Sequence, residues 1–106
     1  MPPQARYWLL TIPHADFVPY LPPTCNWIRG QLELSHGTAY LHWQVLVALK
    51  RKSRLMGLKE LFGRTVHAEP SRSDAAADYV WKEDTRVEGT QFELGKLISI
   101  LIFLVY

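Results

Sequence analysis

Apolar and polar positions alternate with a period of two along two neighbouring stretches of the chain. From Trp27 to Leu34, Ile28, Gly30, Leu32 and Leu34 fall on one side, and Trp27, Arg29, Gln31 and Glu33 on the other. From Tyr40 to Leu49, Leu41, Trp43, Val45, Val47 and Leu49 form an unbroken apolar side opposite Tyr40, His42, Gln44, Leu46 and Ala48. That period belongs to strands that bury one face, and His36-Gly37-Thr38 between them supplies a hairpin turn. Arg6–Ile12, aromatic and β-favouring up to Pro13, predicts a first strand, with a short turn or helix over Asp16–Leu21.

The period then lengthens. Leu55, Leu58, Leu61 and Phe62 share one helical side of Ser53–Phe62, with Ser53 as the expected N-cap and Gly63 just past the end. Thr65–Glu69 returns to alternation. An Ala-rich helix is expected from Ser71-Arg72-Ser73-Asp74 to about Glu83, capped by one of the serines. A last strand is expected over Arg86–Leu94, interrupted by Gly89. This order predicts an α+β domain: a largely antiparallel five-stranded sheet with helices packed on one face and the other face open.

The chain's 106 residues, 48% hydrophobic with four Trp, suit one compact domain with one core. A lone Cys25 cannot form an internal disulfide, and no secretory signal opens the chain, which leads us to expect an intracellular protein. The ten apolar residues from Leu97 to Tyr106 are too few to cross a bilayer as a helix; we expect this tail to pack on the domain or on a neighbouring copy. Lys50, Arg51, Lys52, Arg54, Lys59 and Arg64 fall within 15 residues beside one acid, Glu60, so this segment carries +5 of a chain whose net charge is +2. Such a patch suits phosphate contact as well as it suits an ordinary solvated helix and its preceding turn. We assign Lys50, Arg51, Lys52 and Arg54 to phosphate contacts.

Three constellations carry candidate chemistry. His42 and Gln44, two apart on a strand whose opposite face is apolar, project together, and a hairpin brings Glu33 near His42. One nitrogen and two oxygens suit Mg²⁺ or Mn²⁺; the alternative is a set of half-exposed sheet residues. His67 and Glu69 share a strand face and are read as DNA contact or as support for the metal ligands. Tyr79 and Lys82 lie on one side of the Ala-rich helix, behind the small Ala75 and Ala76. A phenol is a weak nucleophile at neutral pH and needs a metal or cation nearby; the alternative is an interfacial Tyr and an Asp78–Lys82 ion pair.

Taken together, Leu10-Thr11-Ile12-Pro13, then Glu33 with His42-Trp43-Gln44, then Tyr79-Val80-Trp81-Lys82 resemble the three motifs of replication-initiator (Rep) proteins of circular single-stranded DNA viruses, members of the HUH endonuclease superfamily. The resemblance covers about residues 6 to 95. It implies a ferredoxin-like or RRM-like sandwich, with Thr11 assisting DNA recognition, Glu33, His42 and Gln44 holding the metal, and Tyr79 attacking the origin hairpin loop with Lys82 in support. The implied activity is site-specific, metal-dependent nicking and joining of single-stranded DNA through a 5′-phosphotyrosine, which initiates rolling-circle replication in the host nucleus. Many relatives carry a second His at the position of Gln44, which instead resembles the circovirus-like form. The apolar tail stands where the family usually continues toward a helicase domain, so residues 1–95 are read as the endonuclease domain and the helicase as absent. A non-catalytic single-strand binding module, stacking bases on Trp27 and Tyr40, is the competing class; an inactive relative whose tail serves assembly is a third.

Overall fold

The computed structural model describes residues 3–97; residues 98–106 of the expected apolar tail lie outside them. Five strands form one antiparallel sheet: β1 (Ala5–Pro13), β2 (Cys25–Leu34), β3 (Leu41–Ser53), β4 (His67–Pro70) and β5 (Phe92–Gly95). Their spatial order is β4-β1-β3-β2-β5. Helix α1 (Leu55–Phe62) joins β3 to β4, and the short helix α2 (Ala76–Tyr79) lies between β4 and β5. The α+β class and the five-stranded open sheet expected from the alternation are therefore present.

The apolar sides of the strands meet as predicted. Trp8, Leu10 and Ile12 of β1, Ile28 and Leu32 of β2, and Trp43, Val45, Val47 and Leu49 of β3 form the main core, closed by Leu58 and Phe62 of α1 and by Phe17. Central β3 pairs with β1 and β2, so its even-numbered side chains share the second face with their cross-strand partners. Gly30 is required where β2 crosses β3, because a Cβ there would collide with the Gln44 carbonyl. Gly63, at φ +102°, ends α1 with its N–H on the Lys59 carbonyl.

The second face is where the structure departs from expectation. The helices do not share one face: Ala76 and Val80 pack with Trp27, Leu46 and Ala48 in a second cluster, on the side of the sheet opposite α1. Leu97, the described start of the tail, packs against this cluster as well. The Ala-rich helix is also much shorter than its composition suggests. After Val80, backbone bonds tighten to the three-residue spacing, Trp81 N–H to Asp78 O and Lys82 N–H to Tyr79 O. Side chains reach in from outside the helix and take its carbonyls: Arg29 takes Ala77, Arg86 takes Trp81 and Gln31 takes Lys82. Tertiary partners have overridden a good intrinsic helix propensity.

Smaller corrections have similar causes. β3 runs on to Ser53 because its end pairs with Ala5 and with the Thr24 carbonyl, so Lys50, Arg51 and Lys52 are strand residues rather than a turn. Ser53 does not cap α1: Arg54 is the N-cap residue and makes no side-chain cap bond. In the second helix, Ser73 Oγ does accept the Ala75 N–H. The early helical turn is a single 3₁₀ turn, His14–Asp16. β5 starts only at Phe92, since Gly89 turns at φ +81° and Thr90 spends its hydroxyl on Val87 and Leu32.

Candidate active site

Cross-strand register assembles the site. Glu33 of β2 lies directly opposite His42 of β3, and Gln31 lies opposite Gln44, which in turn faces Thr11 of β1 and, beyond it, His67 of β4. The four central residues of these rows, Gln31, Glu33, His42 and Gln44, are all buried. They are not half-exposed sheet residues, and a buried polar row needs internal partners.

Those partners fix each donor atom. His42 Nδ1 lies 3.2 Å from the Tyr40 carbonyl; a carbonyl can only accept, so Nδ1 carries the hydrogen and Nε2 faces the site. Nε2 is 3.6 Å from Glu33 Oε1. The Tyr40 ring stacks on the imidazole at 4.9 Å between centroids. Gln44 donates its amide N–H to Leu10 O at 3.0 Å, and its Oε1 accepts from Thr11 Oγ1 at 3.3 Å. Thr11 thus orients the amide oxygen and leaves it a second lone pair.

Glu33, 2% exposed, is surrounded by donors. Gln31 Nε2 reaches its Oε2 at 2.9 Å, while Lys82 Nζ at 2.6 Å and Thr85 Oγ1 at 3.0 Å share its Oε1. Lys82 also lies 5.2 Å over the Tyr79 ring, an arrangement that follows from the tight turn after α2, in which residues three apart eclipse. Lys82 therefore links the Tyr79 turn to the Glu33–His42 pair. Tyr79 is 45% exposed, open to a bulky ligand, and lines a shallow groove with Leu9, Glu69, Arg72 and Ala76.

The turn is clasped from the sheet. Arg29 stacks on Trp81 at 3.4 Å, donates to Ala77 O at 3.0 Å and pairs with Glu93 at 3.1 Å. Arg86 donates to Gln31 Oε1 at 2.9 Å and to the Trp81 carbonyl. Sequence reasoning missed Arg29, Gln31, Thr85 and Arg86. Gln31 and Arg29 had a signal, their shared parity with Glu33 on the polar side of β2; Thr85 and Arg86 had none.

Not every expected residue joins this site. Lys50, Arg51, Lys52 and Arg54 are exposed, but Lys50, Arg51 and Lys52 lie toward the far end of β3, about 25–35 Å from His42 at strand rise, and Arg54 follows the strand's last residue. Trp27 is buried, its indole N–H donated to Glu93 at 2.8 Å, and so offers no stacking platform; Tyr40 remains exposed. Among the described residues no three His, Cys, Asp or Glu cluster together; Gln44 lies two residues from His42 on the same side of β3. No described helix is long and apolar enough to cross a membrane.

The structure thus places an acid–His pair on an open antiparallel sheet with a Tyr–Lys turn docked beside it, and sequence comparison bears out the resemblance to Rep proteins. The chain is 33% identical over 96 residues, 86% of its length, to the master replication protein of Banana bunchy top virus. It spans about a third (32%) of that protein's length. No protein-family profile matches the chain.

Proposed function

We propose that the chain acts in replication initiation as a nicking and joining enzyme for single-stranded DNA, with Tyr79 as nucleophile. The observation that carries this reading is the pairing of Glu33 with His42, beside Gln44, and the link from that pair through Lys82 to Tyr79. A carboxylate oxygen, an imidazole nitrogen held in one tautomer and an amide oxygen with a spare lone pair fit a hard divalent ion, Mg²⁺ or Mn²⁺. Glu33, His42 and Gln44 would hold it, and when bound it supplies Lewis-acid polarisation of the scissile phosphate.

The chain's own residues do the rest. Tyr79 Oη attacks the phosphorus, the P–O3′ bond breaks, the phenolic proton passes to water, and O3′ takes up a proton to leave a free 3′-OH. The 5′ side stays on Tyr79 as a phosphodiester, and attack by a 3′-OH on that phosphorus rejoins a strand and restores the phenol. Lys82, beside the ring, supplies positive charge where the phosphorane charge develops. Thr11 and His67, in one row with Gln44, offer polar contacts to the strand on the same face. Lys50, Arg51, Lys52 and Arg54 hold phosphates further along it.

The substrate on this reading is the loop of an origin stem-loop, and the place of action the host nucleus. Assembly through the apolar tail is part of the same proposal. The test is incubation with an end-labelled hairpin-loop oligonucleotide and Mn²⁺, resolved on a denaturing gel. Cleavage abolished by a chelator, with much of the DNA binding retained, supports the reading; full cleavage in excess chelator overturns it.

A further inference from the structure

We propose that Lys82 is a built-in competitor of the divalent ion: it neutralises Glu33 in the metal-free protein and must leave that carboxylate when an ion binds, which moves its ammonium toward Tyr79. The inference rests on the metal reading of Glu33, His42 and Gln44 given above.

The geometry is specific to one oxygen. Glu33 Oε1, the atom 3.6 Å from His42 Nε2, is the atom that Lys82 Nζ approaches to 2.6 Å. Thr85 Oγ1 contacts the same oxygen at 3.0 Å and the ammonium at 2.6 Å, so it ties the pair together. With Gln31 on Oε2, the buried carboxylate has three donors and one balancing charge, and nothing in its surroundings demands a second cation. An ion shared by Oε1 and His42 Nε2 would need a lone-pair direction of Oε1 that Lys82 and Thr85 now use. It would also stand beside an ammonium in a site screened from water, where like charges repel strongly.

Lys82 has somewhere to go. Its side chain is 30% exposed, against 2% for Glu33, and already lies over the Tyr79 ring, so rotation of a flexible stem suffices. Lys82 is thus a positioning residue for the metal as well as a charge for the reaction: its release couples ion arrival to the appearance of a free cation beside the nucleophile.

The test is Mn²⁺ titration calorimetry without DNA on the wild-type chain, Lys82→Met, Lys82→Arg and Glu33→Gln. Met keeps the stem's packing and removes the charge. Because a charge-assisted hydrogen bond is among the strong ones, Lys82→Met should bind Mn²⁺ at least roughly tenfold more tightly, about 1.4 kcal/mol, while Lys82→Arg stays near wild type. The metal-free form of Lys82→Met should melt lower and gain more from Mn²⁺ than the wild type does. A merely structural lysine would, on removal, weaken metal binding. Thr85→Val, which takes away the tie between ammonium and carboxylate, is the second variant should Lys82→Met not fold, and should also tighten binding. Equal or weaker Mn²⁺ affinity in these variants, with binding lost in Glu33→Gln, overturns the competition and leaves the metal reading standing. Mn²⁺ affinity unchanged in Glu33→Gln, or no binding by either wild type or Lys82→Met, overturns both.

Discussion

Replacing Arg29 by Ala removes three interactions that hold the Tyr79 turn on the sheet. The first is a charged donor on the Ala77 carbonyl at 3.0 Å, the kind of bond that contributes about 1.5–3 kcal/mol. The second is the guanidinium over Trp81 at 3.4 Å, about 0.5–2 kcal/mol. The third is the pair with Glu93, whose carboxylate is 41% exposed; screening reduces this to about 0–1 kcal/mol. One side chain makes all three, so they overlap, and the expected loss is ~2–4 kcal/mol. Against a domain stability of about 5–15 kcal/mol, the variant should still fold, with its midpoint lowered by about 10–25 °C. Urea unfolding followed by Trp fluorescence measures the loss. Arg29→Lys keeps the charge near Glu93 but not the planar stack, and should recover less than half of it. A loss below about 0.5 kcal/mol, the scale of an ordinary surface substitution, would refute the view that Arg29 clasps the turn.

Two further outcomes follow from other parts of the chain. Neutralising Lys50, Arg51, Lys52 and Arg54 should weaken binding of all single strands alike and reduce the slope of log affinity against log salt by about 0.7 for each phosphate no longer neutralised; weakening confined to one sequence would instead indicate base reading. Burial pushes the Cys25 thiol above its ordinary value, the Thr24 hydrogen bond and the Lys50 charge opposing it more weakly. Because the folded value is raised, the thiol's contribution is fully present below the unfolded value near 9.0 and is lost as pH rises through the folded value. Denaturation midpoints should fall as pH rises from about 9.0 through the folded value in the wild type, and fall less steeply in Cys25→Ala.

The face pairing of β2 and β3 was legible because two strands with one apolar side must pair in the parity that buries it, and the short turn around His36-Gly37-Thr38 fixes the register within that parity. Parity and turn together set Glu33 against His42. The length and docking of α2 were not legible, since an alanine-rich composition is a misleading guide where distant side chains take the carbonyls: Ala75, Ala76 and Ala77 favour helix, yet Arg29, Gln31 and Arg86 end it. The same distance explains why Thr85 went unnoticed although it contacts Glu33. Nothing local distinguishes it from an ordinary loop threonine. Trp27 illustrates the converse: alternation placed it correctly on the polar side of β2, but could not tell that α2 would cover it.

The central claim is that the oxygen of Tyr79 attacks the DNA backbone. Tyr79→Phe removes that atom and keeps the ring that Lys82 overlies, so fold and strand binding should survive. The decisive measurement is mass spectrometry of the peptide-linked nucleotide after reaction of each protein with a hairpin-loop oligonucleotide and Mn²⁺. The account predicts a phosphodiester adduct on Tyr79 in the wild type and none in Tyr79→Phe. An adduct on another residue, or an undiminished adduct in the Phe variant, would contradict it.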